Sequence, residues 1–327
     1  MATVAPYDFD CHVEWAGFVE DEPCFALVEG DVVLPTGKDR TVAAHDGLLS
    51  AALALDGKSL ITGGEDGKVM RVGADGSVAQ VVNMGSKWID VVEAGPQDAV
   101  AFASGRTAWL AQADGTLKEF PHERAVEGLA FAPKGMRLAC ARYNGVSMHW
   151  AVGSAATVDL HWDGAHTGVT FSPDGKYIVT SMVENALHGW RLDDKKSGDG
   201  KHMRMTGYPA KPKSLSWSPK GKWLASSGAQ AAICWPFSGK DGPMGKAPKE
   251  LGTRGDTMVV QVACHPMEDV LAIGYADGMV MAVRIEDAAE NMLRRPGNGA
   301  ISSLAWDAAG MRLAFGSEEG EAGVISL

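Results

Sequence analysis

Apolar residues along this chain fall into short runs, and turns rich in proline and glycine separate one run from the next. The clearest turns are Phe171-Ser172-Pro173-Asp174-Gly175-Lys176, Trp217-Ser218-Pro219-Lys220-Gly221-Lys222 and Phe131-Ala132-Pro133-Lys134-Gly135-Met136. Weaker copies stand at Leu55-Asp56-Gly57-Lys58, Cys264-His265-Pro266-Met267 and Trp306-Asp307-Ala308-Ala309-Gly310. Proline presets the φ angle of such a turn, and glycine supplies the positive φ that closes it. A second apolar run follows, as at Leu60-Ile61-Thr62-Gly63, Leu138-Ala139-Cys140-Ala141, Leu224-Ala225-Ser226-Ser227 and Leu271-Ala272-Ile273-Gly274. Then comes a hairpin signal (Asp66-Gly67, Asn144-Gly145, Asp277-Gly278) and a third run. Runs this short between such turns predict strands. No segment carries an apolar period of 3.6 residues, so helix is expected to be scarce.

The first strand of each unit ends on an apolar anchor, at Phe18, Leu53, about Val92, Phe131, Phe171, Trp217, Cys264 and Trp306. The intervals are 35, 39, 39, 40, 46, 47 and 42 residues, the period of a four-stranded propeller blade. The expected fold is all-β: a single closed β-propeller of four-stranded antiparallel blades over residues 1–327, with eight blades favoured and seven the alternative. The repeats fall at approximately 10–43, 44–83, 84–121, 122–160, 161–207, 208–253, 254–296 and 297–327 plus 2–7. The first copy is the shortest, and it decides between eight and seven. The last repeat supplies only three strands before Gly323-Val324-Ile325-Ser326-Leu327. Its fourth is expected from Ala2 to Tyr7, which would cover an otherwise exposed sheet edge.

These features resemble WD40-repeat β-propellers, in particular divergent bacterial ones, over essentially the whole chain. His45-Asp46-Gly47 matches that family's histidine before the first strand, Thr62 its second-strand hydroxyl and Asp66 its turn aspartate. The resemblance implies that these side chains form a hydrogen-bonded network with a tryptophan ending the third strand, the position of Trp150, Trp190 and Trp235. None of these tryptophans is followed by aspartate, and no single repeat holds the complete set.

A chain that is 46% hydrophobic and 22% charged has ample material for a core, and forty glycines suit many tight turns. The net charge of −11 argues against binding nucleic acid or an anionic membrane. Five cysteines without a CxxC pair fit a reducing compartment. The first ten residues carry no basic residue and no apolar core of a signal peptide. A cytoplasmic, monomeric protein is expected.

Phosphate-loop, dinucleotide, zinc-protease and nucleophile-elbow motifs are absent from the sequence, which points away from catalysis. His12, His45, His122, His161, His166 and His265 sit near strand starts or turns and are expected to brace loops. Cys11-His12 and His161/His166 are the closest approaches to a ligand pair, but neither has a recognised spacing, so no metal or cofactor is expected. The basic stretch from Lys195 to Met205, with Lys211 and Lys213 beyond it, could meet an acidic partner. Strand alternation places Lys87, Trp88, Arg106, Arg124, Tyr143, Asn144, His166, Glu184, Asn185, Lys211, Lys213, Arg254, Tyr275 and Asn298 on one rim of loops around the channel. Trp, Tyr and Arg are common interface anchors. The fold resemblance and this rim together lead to a non-catalytic scaffold binding a protein or peptide. The alternative is a small-ligand- or metal-binding propeller, possibly enzymatic, that uses the central channel.

Overall fold

The computed structural model describes residues 3–35, 40–153, 155–192, 202–239 and 241–327. Among them the secondary structure is β throughout, apart from a 3-10 turn at Pro96–Asp98. No helix is long and apolar enough to cross a membrane.

Six sheets have four antiparallel strands each. In sequence order they begin with Val13–Val19, Glu22–Leu27, Asp31–Leu34 and Arg40–Ala43, so the short N-terminal copy is a complete sheet. The next two are Leu48–Leu53, Ser59–Gly64, Lys68–Gly73, Val78–Asn83, and Val91–Ala94, Val100–Ser104, Thr107–Ala111, Leu117–Pro121. Later come Leu215–Trp217, Trp223–Ser226, Ala232–Pro236, Lys249–Leu251, and Val259–Cys264, Val270–Tyr275, Val280–Arg284, Glu290–Arg294. The last joins Ile301–Trp306, Arg312–Ser317 and Glu321–Ser326 to Thr3–Asp8.

The seventh sheet differs. It has six strands: Val126–Phe131, Arg137–Trp150, Val158–Phe171, Tyr177–Met182, Ala186–Arg191 and His202–Met205. Seven connected sheets therefore stand where eight were favoured. Two strands of 14 residues each run through the fourth and fifth repeats. The turn expected at Asn144-Gly145 does not end its strand. Asn144 takes φ 63° and Gly145 φ 128°, and pairing resumes at Gly145↔His161 after a register shift. A Cβ on Gly145 would lie 2.0 Å from the Leu160 carbonyl oxygen, so only glycine lets the strand pass.

The chain divides into two compact units. One comprises Met1–Leu27 with Met205–Leu327, the other Val28–Arg204. In the first, Thr3 to Asp8 pair in register with Ser326 to Glu321, as expected for the N-terminal strand. Tyr7 and Phe9 stack 6.1 Å apart and both lean on Phe25, at 5.2 and 5.3 Å. The core of this unit includes Leu251, Val262, Leu271, Ile273, Tyr275 and Val283.

In the second unit the second strands are buried from end to end, as at Ser59–Gly64 and Tyr177–Met182. A strand covered on both faces reads as continuous apolar sequence, which is why these runs were visible without alternation. Burying each Ile61, Ile178 or Leu138 side chain stabilises the unit by roughly 1.5–3 kcal/mol.

Candidate functional site

Opposite the residue two before the anchor, the second strand presents Phe25, Ile273 or Phe315 in three repeats, and a hydroxyl or a thiol in four pairs. These pairs are Ala51↔Thr62, Leu129↔Cys140, Val169↔Thr180 and Leu215↔Ser226. Three of the four second-strand residues carry hydroxyls, and each hydroxyl is tied to a ring. Thr62 Oγ1 lies 2.8 Å from His45 Nε2, and His45 Nδ1 lies 3.0 Å from the Asp66 carboxylate. Thr180 Oγ1 lies 2.7 Å from His166 Nδ1. In the third case a tyrosine replaces histidine: Tyr208 Oη bonds Ser226 Oγ at 2.6 Å and accepts Trp235 Nε1–H at 2.6 Å. This is the bracing that the His45, Thr62 and Asp66 pattern implied.

Of the three tryptophans only Trp235 bonds into such a network: the buried Trp190 Nε1–H has no hydrogen-bond partner among the described residues, and Trp150 lies elsewhere. That indole is 39% exposed beneath the Arg137 guanidinium, and the neighbouring His149 is the buried side chain.

Burial pulls the Asp66 carboxyl up, but hydrogen bonds from His45 and Lys68 outweigh it and hold the group below its ordinary value. The stabilisation is therefore present above the unfolded-state pKa and is lost as pH falls through the lower folded value. Replacing His45 by alanine leaves the Thr62 hydroxyl buried without its ring partner. We expect a loss of about 1–3 kcal/mol, measured by denaturant unfolding at pH 7, with a smaller loss at pH 3.

In the unit Val28–Arg204, a polar cleft of about 550 Å³ collects Arg124, Tyr143 and Asn144 from the expected set. The Tyr143 ring is 48% exposed, with the Arg124 guanidinium 5.9 Å from its centroid. The Asn144 side-chain oxygen accepts the Gly164 N–H at 3.1 Å, which fixes the loop beside the ring. Also lining the cleft, the exposed Asp159 accepts through Oδ1 from Arg142 at 2.8 Å and from the Ser147 hydroxyl at 2.6 Å. His122 and His149 also line it. Burial, and then Arg142, lowers the first histidine; burial and the neighbouring His122 push the second down to about 4.

The remaining expected residues are placed as follows. Trp88 is 55% exposed, and Lys87 lies over the Trp109 ring at 4.7 Å. Arg106 and Glu184 are exposed, and Asn185 is partly buried. The Glu184 carboxylate accepts the Ala165 N–H at 3.0 Å. His166 is buried, because its ring serves Thr180 and the Trp162 carbonyl, and this corrects its expected place on an exposed rim.

In the other unit Tyr275 is likewise buried, its hydroxyl bonded to the Gly252 carbonyl within the core. Arg254 covers that ring and pairs with Asp277 at 2.7 Å and Asp256 at 3.3 Å. The exposed Asn298 bonds Glu321, Lys211 is partly buried and Lys213 is exposed. The basic segment from Lys195 to Lys201 lies outside the described residues.

Of the two sequence-neighbour pairs weighed as ligands, His12 faces Glu14 at 3.5 Å and His161 faces Asp163 at 3.6 Å. Sequence reasoning passed over Cys140 and His149, which come together with His122. The available signal was the cysteine standing where three other repeats have a hydroxyl.

No family model matches the chain. Among solved structures it is similar to the computationally designed Ika8 protein in its crystal structure. The TM-score is 0.79 at 16% identity, over 98% of both chains. The fold is a β-propeller. Telomerase protein component 1 of Rattus norvegicus is 23% identical to this propeller over 208 residues, 62% of the chain. The propeller spans 7% of the length of that relative.

Proposed function

We propose that this propeller is a WD40-like, non-catalytic interaction scaffold of the cytoplasm, and that it docks a protein or peptide at Arg124, Tyr143 and Asn144. The observation that carries the reading is the half-exposed Tyr143 ring, fixed beside Arg124 at a polar cleft. An aromatic ring held in place loses little entropy on binding, and Tyr and Arg are frequent hot-spot residues. The WD40-like reading rests on the His45–Thr62 and His45–Asp66 hydrogen bonds, which reproduce the bracing that the resemblance implies.

The six-stranded sheet, in this reading, is two sequence repeats fused through continuous strands into one sheet. A register shift at the start of the first strand recurs at Val13/Trp15, Leu48/Ser50, Val126/Gly128, His166/Gly168, Val259/Gln261 and Ile301/Ser303. The copy at His166/Gly168 falls inside the strand Val158–Phe171 and marks where a fifth repeat begins.

The test is calorimetric titration with a partner that co-purifies from the native cells. Tyr143→Ala is expected to weaken binding by about 30-fold, the equivalent of about 2 kcal/mol at a hot spot, without moving the melting temperature. Lys176→Ala and Lys222→Ala, in the Pro-Asp-Gly-type turns, are expected to leave affinity within two-fold. Equal losses at all three positions, or none at any, would remove the basis for this docking site.

A further inference from the structure

Cys140 occupies the position where Thr62, Thr180 and Ser226 each present a hydroxyl to a ring. Here the hydroxyl has become a thiol, and two imidazoles, His122 and His149, stand close to it. His122 Nε2 and His149 Nε2 lie 3.3 Å apart. A ligand nitrogen atom on each ring and Cys140 Sγ all fall within 4.8 Å of one another. For two nitrogens bound to one tetrahedral zinc ion at about 2.0–2.1 Å, the expected separation is about 3.3 Å. The two rings are already at that spacing.

The surroundings fit the same purpose. His149 Nδ1 lies 3.0 Å from the Thr157 hydroxyl, which orients the ring and turns Nε2 toward the other donors. Phe120 stacks on the His149 ring with centroids 4.5 Å apart, walling one side with hydrocarbon. Cys140 and His149 are buried, while His122 is partly open to the cleft. A metal ion takes the thiolate, so binding at Cys140 Sγ displaces the thiol proton to solvent.

We propose that His122, Cys140 and His149 form a binding site for one zinc-class divalent transition-metal ion, with a fourth coordination position open to the cleft. Three side-chain ligands of borderline to soft character select zinc or cobalt over magnesium or calcium. The open position is available to water or to a donor atom carried by a ligand in the cleft. The site stands independently of the docking reading, because the ion is detected without any partner.

The experiment is a cobalt(II) titration of the full chain after chelator treatment and removal of the chelator. One equivalent of cobalt is expected to bind with a thiolate-to-cobalt charge-transfer band in the near ultraviolet, releasing one proton per ion. One equivalent of zinc is then expected to abolish the band. Cys140→Ser removes the band, and His122→Ala, at a partly open position, removes stoichiometric binding while the melting curve stays cooperative. Cys11→Ser changes neither result. A wild-type protein that shows no band and takes up no stoichiometric cobalt overturns the proposal. So does a band that survives Cys140→Ser and disappears in Cys11→Ser, which would put the ion beside His12.

Discussion

Removing residues 1–9 is expected to lower the melting temperature by about 6 °C, the equivalent of about 4 kcal/mol in a chain of this size. The truncation takes away the six paired residues Thr3 to Asp8, whose partners run from Ser326 to Glu321. It also removes two rings, Tyr7 and Phe9, from their packing against Phe25. The strand Glu321–Ser326 would then present its backbone groups unpaired along an edge, and such an edge recruits another strand. Scanning calorimetry and light scattering on the purified variant test both consequences. A melting temperature within two degrees of the parent, with no rise in scattering, would show that the strand adds little.

The replacement Glu93→Gln is expected to act in the opposite direction, with an effect that is absent in acid and grows as pH rises toward about 8. Glu93 lies in the strand Val91–Ala94, in the sheet beside Phe131. Burial pushes its carboxyl up to about 8, against a backbone N–H from Phe131 that pulls it the other way. The folded protein therefore binds a proton that the unfolded chain gives up at ordinary carboxylate pH. Stability falls as pH rises from that range through about 8, and the penalty is complete above it. The full shift would correspond to about 5 kcal/mol. Because the side chain is only partly buried, we expect about 2 kcal/mol of stabilisation from the amide at pH 8.5, or roughly 3 °C. At pH 4.5 the two proteins should melt together. Parallel melting curves with a constant offset at both pH values would mean that Glu93 is not proton-linked.

Much of the architecture could be read from the sequence because it depends on local rules. The Pro-Asp-Gly turns, the anchors and the largely apolar second strands each announce themselves within a few residues. The pairing of Thr3–Asp8 with Glu321–Ser326 followed from one unsatisfied edge. The six-stranded sheet was hidden for the same reason. Asn144-Gly145 is a good hairpin signal in isolation, and only the approach of the Leu160 carbonyl to Gly145 shows how the strand continues.

The site was harder to read. Tyr143, Arg124 and Asn144 were chosen from residue type and an expected loop position, and the structure brings them to one cleft, with Tyr143 and Asn144 inside a strand. His166 and Tyr275 carried the same signals but point into their units. Whether such a ring faces outward depends on bond partners that are distant in sequence, such as Thr180 and Gly252. His122, Cys140 and His149 were scattered through what looked like structural positions, and the sheet register alone aligns the thiol with the hydroxyls of other repeats.

The two continuous strands Arg137–Trp150 and Val158–Phe171 also bear on how the protein comes apart. In an array of separate repeats, each repeat can open at the loop that bounds it, and neighbours need not follow. Here the boundary between the fourth and fifth repeats is itself hydrogen-bonded strand, with Tyr143↔Ala165 and His166↔Met182 paired on either side of it. The outer strand of the fourth repeat and the first strand of the fifth are two halves of Val158–Phe171, so the fourth cannot release that edge without disturbing the ladder of the fifth. The strands from Val126–Phe131 to Ala186–Arg191 are thus built to open as one cooperative block, which holds His149, while His122 lies just before it.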